Sequence, residues 1–292
     1  MPTPLRGLLR GRLDFAGLYP PAAMGQREAW DEYVRLQQSR DDWILGRFCL
    51  PARSRAVFTE FAIHDGVEAE ASAIGTPVAN AREAAESIGL DVKKWMSDGP
   101  VEAVTYEVKL PLEDAGHSLK ALKKATERGP FDTVSVEFGW ADGWTDALHE
   151  ALGTIEEVGL KARCGGLAAT DFPSTAQMAE FIYLGASLDA PMKFTAGIHQ
   201  PLWHHDKELG VHRHGFINLF VAAALAELYD LTPQELEEVL TLGADGFAWD
   251  DRGVVVLGQR LETIDLVDCP VAGWGSCSVD EPVEALAALG WG

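Results

Sequence analysis

The sequence predicts a single (β/α)8 barrel, and three observations carry that expectation. Eight short segments of strand character alternate with helical ones along the whole chain. The length of 292 residues lies somewhat above the ~250 typical of such barrels. An open doubly wound sheet would place a glycine-rich phosphate turn after its first strand, and LDFAGLYPP is not one.

The elements follow in order. Strand character, alternating or continuously apolar, falls on Leu13–Ala16, Ile44–Leu50, Val67–Ile74, Glu102–Leu110, Thr133–Phe138, Lys161–Cys164, Met192–Ala196 and Val271–Gly275. Helical spacing falls between them, near Gln26–Gln38, Ser54–Ile63, Ala79–Trp95, Ser118–Glu127, Trp144–Val158, Thr175–Leu188 and Gly215–Leu228. Thr232-Pro233-Gln234-Glu235 is a capping box with proline at the first helical position, and Ser278-Val279-Asp280-Glu281 is a second box. Phe247–Trp249 and Val254–Leu257 flank a turn at Asp250–Gly253 and predict a hairpin. The chain therefore reads as one domain over residues 1–292, with an extended connection at about 198–270 between strands seven and eight. Its first part, His199–His214, shows no regular pattern and is expected to lie over the barrel mouth as a lid.

Composition narrows the partners. With 24 basic against 45 acidic residues the formal charge is −21, which repels nucleic acid and anionic lipid. No apolar run approaches the ~18 residues of a membrane-spanning helix, and the apolar stretch within MPTPLRGLLRGRLDF is too short for a secretion signal. Cys49, Cys164, Cys269 and Cys277 show no CxxC spacing, which predicts reduced thiols in a cytoplasmic protein. A small-molecule substrate is the partner this composition fits, with a homo-oligomer left open.

Strand parity predicts an unusual interior. Asp14, Arg47, Glu68, Glu70, Thr105, Glu107, Lys109, Ser135, Glu137, Lys161, Arg163, Lys193 and Thr195 all take inward positions. Barrels are ordinarily filled by branched apolar side chains, and buried charge is costly unless paired or used. Either an ion-pair network packs the barrel, or a polar pocket opens at the carboxyl ends of the strands. Asp14, Glu137, Arg163, Lys193 and His199 are expected to share that pocket.

Lys193 is the sharpest candidate. A lysine buried near another cation such as Arg163 loses part of its proton affinity, and a neutral amine attacks carbonyls to form a Schiff base. Lys193-Phe194-Thr195-Ala196-Gly197 resembles the Lys-x-Ser/Thr-x-Gly strand of deoxyribose-phosphate aldolase and similar class I aldolase barrels. That resemblance implies a Schiff-base role for Lys193. The family's second lysine, in a Lys-x-x-Gly-Gly motif on the next strand, has no counterpart in Val271-Ala272-Gly273-Trp274-Gly275. The turns Asp14–Ala23 and Gly275–Pro282 also resemble a group of bacterial barrel-like proteins sharing DxAGLxPPAA and GSCSxDEP, a resemblance that carries no activity.

Pro191–Asn218 holds five of the eight histidines. His199, just past strand seven, is read as a proton carrier beside Glu137. A metal reading stands next to it, with His199, Glu137 and His204 binding a divalent ion such as Zn or Mn, whereas the lysine reading needs no cofactor. Asp14, Arg47, Arg163, Thr195, Asn218 and Ser276 are the substrate-binding candidates. Three functions follow: a Schiff-base lyase or isomerase through Lys193, Glu137 and His199; a metal-dependent isomerase or hydrolase; and a barrel that binds or assembles without catalysis.

Overall fold

The computed structural model describes residues 1–292 and has eight parallel strands closed into one barrel. They are β1 (Leu13–Phe15), β2 (Leu45–Pro51), β3 (Ala69–Ile74), β4 (Val101–Lys109), β5 (Thr133–Glu137), β6 (Val158–Arg163), β7 (Met192–Thr195) and β8 (Val271–Ser276). Neighbours in sequence pair around the ring, and β8 closes it against β1 through Leu13↔Trp274, Asp14↔Gly275 and Phe15↔Ser276. This is the (β/α)8 barrel the alternation predicts.

Helices cover the outside because each strand's other face is apolar. Phe15, Tyr33 and Phe48 stack, with ring centroids 5.1 Å apart for Tyr33–Phe48, and Phe58 meets Phe48 edge-on at 5.2 Å. Across the ring, Phe194 packs on Phe181. Trp274 of β8 sits between Phe216 at 5.0 Å and Phe220 at 5.4 Å. Those two belong to the helix Phe216–Leu228, whose residues 216–225 are all buried. Such contacts place the apolar half of every strand outward and commit the alternate half to the interior.

The connection 198–270 is more ordered than expected. An antiparallel hairpin pairs His204–Asp206 with Val211–Arg213. Helices Phe216–Leu228 and Pro233–Leu240 follow, then a three-stranded sheet of Ala248–Trp249, Gly253–Val256 and Gln259–Glu262. The turn at Asp250–Gly253 is where the sequence puts it, but the third strand carries no strong signal and is missed. Buried Leu236, Val254 and Leu261 join the same apolar cluster as the barrel's own core. Also unpredicted is an N-terminal helix, Thr3–Leu9, which buries Leu5, Leu8 and Leu9.

One irregularity bears on the interior. Leu13 pairs with Leu45 but Phe15 with Phe48, so β2 carries an extra residue opposite Asp14. The bulge turns the Arg47 amide toward Asp14 Oδ1 at 2.7 Å. Gly46 fits there because a Cβ would lie 2.6 Å from Asp14 Oδ1 and 2.7 Å from the Gly11 carbonyl oxygen. Gly46→Ala is therefore expected to cost roughly 1–3 kcal/mol by overpacking, read as a lower urea midpoint with an unchanged m-value.

Candidate functional site

Inside the ring, the inward positions bring five charged side chains together from five strands. Lys193 on β7 is bound by Asp14 from β1 and Glu107 from β4. Lys161 on β6, the register partner of Lys193, reaches Glu107 at 3.0 Å and Glu137 of β5 at 3.3 Å. Lys109 approaches Glu137 from the exposed side at 3.8 Å. Ser72 Oγ donates to Glu107 and lies 2.7 Å from Thr105 Oγ1. Lys193 is 2% exposed and Lys161 9%, so the charges compensate one another rather than water.

Room for these long side chains comes from small ones. Ser72, Thr105, Ser135, Gly159 and Gly275 occupy inward positions that branched residues fill in ordinary barrels. At Gly159 even a methyl group would lie 2.5 Å from Ser135 Oγ.

Proton affinities follow from this packing. Burial alone would lower the Lys193 pKa, but Asp14 and Glu107 outweigh it and hold the ammonium above its ordinary range. Burial would likewise raise Glu107, yet Lys193 and Lys161 hold it well below the usual carboxylate range. For Lys161 burial is again outweighed, by Glu107 and Glu137, with Lys193 pulling the other way, and the pKa rises. Burial pushes the Cys49 thiol up to about 12. The Tyr19 hydroxyl is buried without a partner and within electrostatic reach of Cys49 and Glu107. It belongs to the Leu18–Pro21 loop after β1, and burial holds its phenol above the ordinary range.

Several expectations need correction. Arg163 is not the neighbour of Lys193: it is exposed, and its carbonyl accepts from Trp140 Nε1 at 2.7 Å. The cation beside Lys193 is Lys161, and the carboxylates raise both lysines rather than leaving either amine neutral. His199 lies away from the network, with Nδ1 2.9 Å from Glu281 Oε2. Asn218 is buried and structural, donating to the Val239 and Leu242 carbonyls and accepting from the Trp203 amide. Ser276 Oγ donates to the Ser278 carbonyl within its own turn. Thr195 stands half-buried beside Gly275, and Arg47 comes within 4.0 Å of Asp14 while staying 23% exposed. Glu68 and Glu70 are exposed at the start of β3, where Ser72 of the same parity supplies the interior group.

The metal set His199, Glu137 and His204 does not converge. Glu137 belongs to Lys161, and His204 Nδ1 lies 3.0 Å from the Leu202 carbonyl on the hairpin. The donors that do approach one another are Asp14, Cys49 and Glu107, within 4.8 Å. The cation held by the two carboxylates is the Lys193 ammonium. Two further histidines of this stretch pack locally. His212 stacks on Trp203 at 4.2 Å, and His214, pushed down to about 4 by burial, donates from Nε2 to the Pro173 carbonyl. With Phe172 and Trp203 they line a cleft of about 430 Å³ beside the β6 loop, so this segment flanks the carboxyl face instead of directing histidines at Lys193.

Glu107 and Lys161 carry more of the site than their sequence surroundings indicate. Parity placed both inward, but nothing local to either residue says that they touch Lys193. Ser72, Cys49 and Tyr19 show no signal above that of ordinary strand and loop residues.

Lys193→Met is expected to destabilise the fold by roughly 3–5 kcal/mol at pH 7, because it leaves buried carboxylate without its cation. Glu107 is depressed, so its contribution is present above the unfolded pKa near 4.5 and is lost as pH falls. Lys193 is raised, so its contribution is present below 10.5 and is lost as pH rises through the higher folded value. Urea melts of wild type and variant should thus differ by a constant amount from pH 6 to pH 9 and converge below about pH 4.5.

No protein-family model matches the chain, and no curated protein matches it. Among solved structures it is similar to the deoxyribose phosphate aldolase from Aeropyrum pernix, a protein described as having a unique tetrameric structure. The TM-score is 0.51 at 12% sequence identity, covering 98% of this chain and 97% of that one. At that identity the likeness establishes the barrel fold that the two proteins share.

Proposed function

We propose that the charged interior is the reaction centre of a lyase or isomerase that handles a small carbonyl compound through a lysine Schiff base. The observation that carries this reading is the pair of lysines in register on adjacent strands, both bound to Glu107. Lys161 is the better-placed nucleophile, since it is the more accessible of the two amines, 9% against 2% exposed, although Glu107 and Glu137 hold its proton affinity above the ordinary value. Lys193, clamped by Asp14 and Glu107, then serves as the fixed positive charge.

The chemistry requires the resting ammonium to lose a proton first. Glu137 and Glu107, in contact with Lys161, are the acceptors at hand. The free amine adds to the carbonyl carbon, the carbinolamine expels water, and the iminium that remains draws electrons from a neighbouring C–C or C–H bond. A protonated carboxyl group returns the proton as the product imine is hydrolysed. Four cysteines free of disulfides and the likeness to an aldolase barrel agree with a cytoplasmic metabolic enzyme.

One observation favours the non-catalytic reading. Both ammonium groups are fully compensated, as they would be in a cluster that only packs the barrel. Borohydride trapping with a panel of small aldehydes and ketones separates the two. The expected result is a reduced adduct mapping to Lys161, lost in Lys161→Met. Absence of an adduct on both Lys161 and Lys193 across the panel assigns the cluster to packing.

A further inference from the structure

A second group of reactive side chains gathers on the carboxyl face, outside the charged interior. Cys277 follows β8, His199 follows β7, and Glu281 lies in the first turn of the last helix, Asp280–Ala288. The fold brings Cys277 Sγ within 3.9 Å of His199 Nε2, across 78 residues of sequence. On the other side of the ring, Nδ1 lies 2.9 Å from Glu281 Oε2. Thiol, imidazole and carboxylate thus stand in the order nucleophile, base, counter-charge. With the Nδ1 proton on the carboxylate side, Nε2 presents its lone pair to the thiol. The Nδ1 approach is close but off the N–H direction, so Glu281 acts on the ring mainly through its charge.

The other three cysteines differ in kind. Cys49 is enclosed by the interior charges, Cys164 contacts the Ala162 carbonyl, and Cys269 is covered by the Arg12 guanidinium. Only Cys277 has an imidazole against its sulfur. Amide groups of Ala22 and of Cys277 itself are also directed at that sulfur. His199 is 16% exposed and Glu281 60%, which leaves one flank of the array open to solvent. Burial, opposed by the Ala22 amide and reinforced by Glu281, holds the thiol above its ordinary pKa. The sulfur therefore waits protonated and gives up its proton as it attacks, rather than resting as a thiolate.

We propose that Cys277 is an acyl-accepting nucleophile, with His199 as its general base and Glu281 as the negative charge that stabilises the imidazolium formed on that ring. In the step, Sγ bonds to the carbonyl carbon of an ester or thioester while the thiol proton moves to His199 Nε2. The tetrahedral adduct breaks its bond to the leaving oxygen or sulfur, which takes the proton back from His199. An acyl thioester on Cys277 remains, and water hydrolyses it to the free acid and the thiol. The array shares no residue with the lysine centre, so either assignment stands or falls without the other.

The full-length protein can be tested with p-nitrophenyl acetate, followed by peptide mapping, and with iodoacetamide. The expected result is one acetyl group on Cys277, with nitrophenolate release slowed about tenfold or more in His199→Gln. Iodoacetamide should modify Cys277 ahead of Cys49, Cys164 and Cys269, and His199→Gln should slow that site alone. Glu281→Gln, a change at an exposed side chain that the fold tolerates, should slow it by roughly threefold, with Glu281→Asp restoring most of the rate. Acetylation elsewhere, or Cys277 reactivity unchanged in both His199→Gln and Glu281→Gln, would overturn the proposal.

Discussion

The contact on which the rest of this structure depends is the binding of the Lys193 ammonium by Asp14 and Glu107 inside the closed ring. None of the three groups is tolerable there alone, since an unpaired charge in a low-dielectric interior costs several kcal/mol. Asp14 comes from β1 and Lys193 from β7, 179 residues later, and β8 separates their strands. The pair can therefore form only in a ring that β8 has closed. Lys161 and Glu137 extend the same compensation to β6 and β5, so the charge pattern checks the register of most of the barrel. Small residues at inward positions such as Ser72, Ser135, Gly159 and Gly275 are the steric counterpart, for bulky aliphatic side chains there would exclude the lysines.

This arrangement sets a tension between stability and chemistry. The carboxylates that make two buried lysines affordable also keep them protonated, whereas a Schiff base needs a neutral amine. Reaction through Lys161 requires its proton to move by a few ångströms onto a carboxylate already in contact. Lys193 then remains charged beside it, disfavouring return of that proton. Tyr19, on the loop after β1, is buried with an unpartnered hydroxyl within electrostatic reach of Glu107.

Much of the fold was legible because it is periodic. Apolar alternation located all eight strands within a few residues, and side-chain parity alone sent Lys193, Lys161, Glu107 and Glu137 to the interior. Pairing was not legible, because it depends on closure and on side-chain reach rather than on local pattern. Arg163 has the right parity but sits at the end of β6, where its head group reaches solvent. His199 leaves β7 beyond the chain's turn at Gly197 and meets Cys277, a contact with no trace in the spacing of either residue. Asn218 opens a helix that is apolar all round, and its amide was needed to hold three backbone groups of the insertion. The histidine-rich stretch looked irregular because its hairpin strands are only three residues each, too short for alternation to register.

Energetic coupling within the interior network holds the barrel's charges in place, and a double-mutant cycle on Lys193 and Glu107 measures it directly. Lys193→Met, Glu107→Gln and the double variant would be compared by urea unfolding at pH 7. Direct contact between buried charges predicts that the two single losses are strongly non-additive, with a coupling energy of about 2 kcal/mol or more. Additive losses, with a coupling under about 0.5 kcal/mol, would contradict it.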